Sequence, residues 1–243
     1  MTADTTDGLE ATGMLGERIA AAVQRHVARR DETVVRHIEY PELVTVQTTG
    51  WTYYARRADW SIAAHPGVEA VFRVVVDRMM DNFVITYGLL VPPGEEALLL
   101  NDVTVLRDLQ QRLGGPVDPL AYAELLAELG STADIAGPRL TPMAATTAYR
   151  AGWLIRDVDG FRRRYPEVDP GLVAPPVVRP DPPSVEFHSH NYVIHHAVSG
   201  IDIYRWTVRL PADAPAHWDR QVVESDLAVR PWLHERPDPE PTG

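Results

Sequence analysis

Cysteine and lysine are both missing from this 243-residue chain. Without thiols there is no disulfide, thiolate nucleophile, iron–sulfur cluster or thiolate zinc site. Without lysine, Schiff-base chemistry, a lysine general base and the phosphate-binding lysine of a P-loop are all excluded, and the 23 cationic side chains are all arginines. Catalysis of any kind would fall to His, Asp, Glu, Ser, Thr, Tyr or Arg. Also lacking is the apolar run of roughly 18 residues that a spanning helix requires. The first 13 residues are polar and acidic, unlike a secretory leader. These features predict a cytoplasmic protein.

Positive charge is in short supply: Lys plus Arg is 23 against 34 for Asp plus Glu, a formal net charge of −11. An acidic surface of this size repels phosphate backbones and anionic lipid, so neither nucleic acid nor a membrane is an expected partner. A chain with 45% hydrophobic and 23% charged residues has an ordinary globular composition, and its length can bury a sizeable core. The Gly-x-Ser-x-Gly elbow, the Gly-x-Gly-x-x-Gly turn and the His-Glu-x-x-His helix do not occur.

Residues 1–13 and 231–243 read as polar, proline-rich or acidic tails around one α+β domain over 14–230. Leu15, Ile19, Val23 and Val27 recur at helical spacing. The segment from Thr33 to Ala64 reads as two or three short strands. Residues 68–77 and 82–91 form a long hairpin with Phe72, Val74, Val76 and Tyr87 on one apolar face. Its other face carries Arg73 among valines and suits partial cover by a helix. Asn101 or Asp102 and then Asp118-Pro119 start helices, and a helical signal resumes at Thr141 and persists to about Tyr165. Arg162 to Arg164 suit a helix C-terminus, and Asp157 suits a cap. Seven prolines between 166 and 183 make a strap that returns the chain to the sheet, after which a second hairpin and a short helix follow. The expected fold is α+β: an antiparallel sheet of about six to eight strands, built on two long hairpins and packed against a helical layer from the Asn101 to Tyr165 region.

The densest chemical signal is in the second hairpin, where His188, His190, His195 and His196 fall within nine positions. Strand alternation sends His188, His190 and His196 to one side and His195 to the other, so the four cannot share one ion. Only His188 and His190 could converge on a metal, with a third ligand from elsewhere. If Ser199-Gly200 is the turn, His190 stands opposite Arg209 and His196 opposite Ile203. Val185, Phe187, Tyr204, Trp206 and Val208 then share an apolar face. Glu186, His188, His190, Tyr192, Arg205 and Arg209 gather on the opposite one. Forked arginines there can grip a carboxylate or phosphate, His190 and Tyr192 can move protons, and Glu186 can orient His188.

Two readings of function follow. In the first the protein is a non-catalytic cytoplasmic binding or accessory protein, immunity- or adaptor-like, that recognises a protein partner through its acidic surface and needs no cofactor. In the second, an enzyme or sensor binds a small anionic ligand on the His/Arg/Tyr face, in one version with a divalent metal on His188 and His190. No residue is assigned a catalytic step. The second reading requires the face to be concave; the first allows it to be flat and open.

Overall fold

The computed structural model describes residues 7–77, 86–130, 149–195 and 198–231. Helix α1 (Asp7–Ala22) runs into a π-helical turn, Val23–Val27, and therefore takes in residues 7–13, expected as tail. Leu15, Ile19, Val23 and Val27, the stripe read from the sequence, are all buried. Six strands follow as an antiparallel meander: β1 (Val34–Tyr40), β2 (Leu43–Thr48), β3 (Thr52–Arg57), β4 (Ala70–Asp77), β5 (Thr86–Val91) and β6 (Leu98–Leu99). Alternation decides their faces. Val44, Val46, Tyr53, Ala55, Phe72, Val74 and Leu89 point to α1 and form a closed core with it.

The chain then builds a helical layer from α2 (Val103–Arg107), α3 (Leu109–Arg112) and α4 (Pro119–Leu125), the last extended by a π-helical turn, Leu126–Gly130. Asp102 and Asp118 cap α2 and α4 by accepting backbone N–H groups, and Pro119 sits in the first turn of α4, as their sequence positions predict. A second sheet has the order β11-β10-β9-β7, formed by β7 (Tyr149–Leu154), β9 (Pro183–His195), β10 (Val198–Arg209) and β11 (His217–Pro231), with β8 (Val177–Pro180) also paired to β9. Val71 and Leu90 from the first sheet, the helical layer, and Val185, Phe187, Trp206 and Val208 from the second form one core. Phe187 and Trp206 stack there nearly parallel, with centroids 5.7 Å apart. Beyond the second sheet, α5 (Val158–Arg164) closes a smaller cluster.

The architecture is α+β with antiparallel strands, but divided between two sheets instead of one. Two segments expected as helix are strands. Tyr149–Leu154 lies on the free margin of β9, and His217–Pro231 on that of β10, where unpaired backbone groups of a buried sheet outweigh a weak local helical preference. The first hairpin pairs Val74 with Tyr87 and Phe72 with Leu89, two residues from the register that a four-residue loop at 78–81 implies, Val74 opposite Ile85 and Phe72 opposite Tyr87; its tip, 78–85, lies outside the described residues.

Candidate functional site

The β9–β10 hairpin is zipped six residues away from the expected register. His195 pairs with Val198, His190 with Ile203, His188 with Arg205 and Glu186 with Thr207, while Ser199 and Gly200 lie inside β10. Because six is even, the described side chains keep their faces. Val185, Phe187, Tyr204, Trp206 and Val208 are buried on the inner side. Glu186, His188, His190 and Arg205 share the other, although His190 meets Ile203 and not Arg209. Tyr192 and His195 lie on β9 at positions whose side chains are outside the described residues, as is His196 altogether.

That outer face has two parts. At its open end Glu186 is shared by two arginines, with Arg179 Nη1 2.9 Å and Arg205 Nη2 3.1 Å from its two oxygens. The hydrogen bond from Arg205, with the nearby charge of both arginines, holds the carboxyl below its ordinary range. His188 is half-buried, its Nδ1 3.3 Å from both the N–H and the C=O of Ala174. Burial lowers its pKa, the contact with Ala174 works against that, and Arg205 lowers it further. Arg209 is exposed beside Ser184 and His217. Glu186 thus orients arginines and not His188, and the surface is an open sheet face on which one carboxylate stands between two arginines.

At the other end the same face is sealed. The His190 ring stacks on Trp153 at 5.2 Å and takes the edges of Phe161 and Tyr165 at 5.5 and 5.4 Å. Arg164 covers Trp153 and Tyr165 from outside. Among the described residues neither ring nitrogen has a hydrogen-bond partner. Burial, reinforced by the charge of Arg164, pushes the His190 pKa down to about 3, so the ring is neutral at physiological pH. His188 and His190 therefore stand in different surroundings, one at the surface and one enclosed. Among the described residues no group of three His, Asp or Glu side chains is placed to hold a metal.

The next residue, Asn191, points inward and is fully buried beside Gly152. A Cβ at Gly152 would stand 2.1 Å from Asn191 Oδ1, so glycine is required for β7 to pair there. Ser189, also buried, accepts the Trp206 Nε1–H at 2.8 Å.

One polar centre escaped the sequence reading. Glu128, on the π-helical turn after α4, accepts Arg73 Nε at 2.7 Å, Arg73 Nη2 at 3.0 Å and Trp60 Nε1 at 2.6 Å. Arg73 also lies over the Trp60 ring. Burial opposes the charge on Arg73, and the Glu128 carboxylate more than offsets it, raising the guanidinium pKa. Beside it, Glu124 accepts the Ser61 N–H and pairs with Arg156 at 3.3 Å. The available signal was a lone arginine on a hairpin face otherwise rich in valine and two glutamates, Glu124 and Glu128, one helical turn apart in an otherwise apolar run. This arrangement clamps the first sheet to the helical layer. No family model, no curated protein and no solved structure matches the chain.

Proposed function

We propose that the protein is a non-catalytic cytoplasmic binding protein, of adaptor or accessory type, that engages a basic protein partner through its acidic surface. The carrying observation is the state of His190. A histidine that moves protons needs access to its substrate and a pKa near the working pH. His190 is walled in by Trp153, Phe161 and Tyr165 and is held neutral by burial. Its neighbour Glu186 is engaged by Arg179 and Arg205, so both arginines already hold a carboxylate of the chain's own where an anion clamp would keep them open. The net charge of −11 supplies the long-range attraction that draws a cationic partner and selects against acidic ones.

Titration of the full chain with an arginine- and lysine-rich peptide, beside phosphate and citrate, tests this. The peptide is expected to bind, and to weaken steeply between about 50 and 200 mM salt, as screened charge attraction does. Millimolar phosphate or citrate is expected to leave the melting temperature unchanged. A rise of several degrees with either small anion, or no peptide binding at low salt, overturns the proposal.

A further inference from the structure

Among the described residues, the large apolar side chains left exposed all lie on three strands at sheet margins: Val35, Ile38 and Tyr40 on β1, Val177 and Val178 on β8, Val222 and Val229 on β11. A strand margin with exposed apolar groups is a template for another strand unless something blunts it. β8 is preceded by Pro175 and Pro176 and ends in Pro180. β11 is bulged in three places, with Asp226 and Ala228 at φ 55° and 51°, and Asp202 holds the Asp226 N–H at 3.1 Å. After its single irregularity at Val34/Arg36, β1 is regular from Arg36 to Tyr40.

This short stretch is complementary to itself. Tyr40 pairs with Leu43 across the two-residue turn at 41–42, which turns the amides of Arg36, Ile38 and Tyr40 toward β2 and those of His37 and Glu39 outward. A second β1 laid antiparallel about a two-fold axis through Ile38 matches His37 with Glu39, Arg36 with the Tyr40 ring, and Ile38 with itself. Two outward pairs would then exchange about four backbone hydrogen bonds. An imidazole beside a carboxylate and a guanidinium against an aromatic face are favourable cross-strand neighbours. β11 has no such symmetry: a two-fold axis centred on its regular part, His217 to Val222, sets Asp219 against Asp219 or Arg220 against Arg220.

We infer that two copies of this chain pair through β1, with Ile38 on the two-fold axis, to join their first sheets into one continuous sheet. This inference stands apart from the partner proposed above. Ile38 faces its mate as a non-hydrogen-bonded pair, with Cα atoms about 4.5 Å apart, inside the range a disulfide spans. The chain has no cysteine of its own, so a single introduced thiol reports cleanly. Under mild oxidation Ile38→Cys is expected to give a covalent dimer, whereas Tyr40→Cys stays uncrosslinked, its copies being four residues, roughly 13 Å, out of register. In sedimentation velocity the unmodified chain is expected to dimerise and Ile38→Lys, which sets two ammonium groups together at an exposed position, to weaken the dimer at least about tenfold. A chain that stays monomeric at high micromolar concentration, equal cross-linking of the two cysteine variants, or a dimer indifferent to Ile38→Lys overturns it.

Discussion

The two sheets each carry a polar side chain where a helix lands on their less apolar face, and they neutralise it in opposite ways. Arg73 on the first sheet meets Glu128, and the charge is kept and held by a two-point hydrogen bond. His190 on the second meets Phe161 and Tyr165, and the charge is given up. Arginine cannot shed its proton in a protein, so the covering helix has to deliver an acid. Histidine can, so the covering helix needs to bring only aromatic rings, and the consequence is sensitivity to acid.

The largest effect should come from breaking the first arrangement. Glu128→Ala strands the Arg73 guanidinium and the Trp60 N–H, and about 3 kcal/mol of stability is expected to disappear in urea denaturation, the lower end of the range because Arg73 keeps some contact with water. Replacing both partners, Arg73→Met with Glu128→Leu, should recover much of that loss, since a buried ion pair and an apolar pair of similar volume are close in stability. If the single variant is as stable as the parent, the clamp carries no weight.

The second arrangement is probed by pH. The folded pKa of His190, about 3, lies below the unfolded value near 6.5, so between those values the unfolded chain binds the extra proton. Its contribution is complete above about pH 6.5 and drains as pH falls toward 3, by up to about 1.4 kcal/mol per unit. His190→Phe removes two unpartnered nitrogens and the titration together. It is expected to match or exceed the parent at pH 7 and to lose about 2–3 kcal/mol less between pH 7 and 4.5. Identical acid sensitivity in the two proteins would show that His190 keeps its proton equilibrium in the fold and end the contrast.

The smallest effect belongs to the open end of the second sheet. Glu186→Gln removes the charge shared by Arg179 and Arg205, all three partly exposed, and should shift stability by less than about 1 kcal/mol in the same assay. A larger loss would mean that this network holds the sheet as Glu128 holds the first.

Much of the local structure was legible because it rests on neighbours in sequence. The α1 stripe, the caps Asp102, Asp118 and Asp157, and the arginines closing α5 all follow from spacing and terminal electrostatics. Apolar alternation assigned the faces of both hairpins correctly while their registers were off by two and six residues. Alternation constrains only whether a shift is odd or even, so the error moved His190 from Arg209 to Ile203 without turning any side chain over. Tyr149–Leu154 and His217–Pro231 were missed for a different reason: each becomes a strand by pairing with a margin that distant sequence supplies.

Composition by itself determined that this is an acidic chain without thiol or lysine chemistry, and periodicity determined which side chains turn inward, because both depend only on residue identity and on the fixed geometry of helix and strand. The tertiary structure alone decided that the strands divide into two sheets, that Arg73 finds Glu128 fifty-five residues away, and that one histidine of a polar stripe is sealed while the next stays at the surface. Those outcomes depend on which helix covers which face, a choice settled by contacts between segments far apart in the chain, which no local pattern encodes.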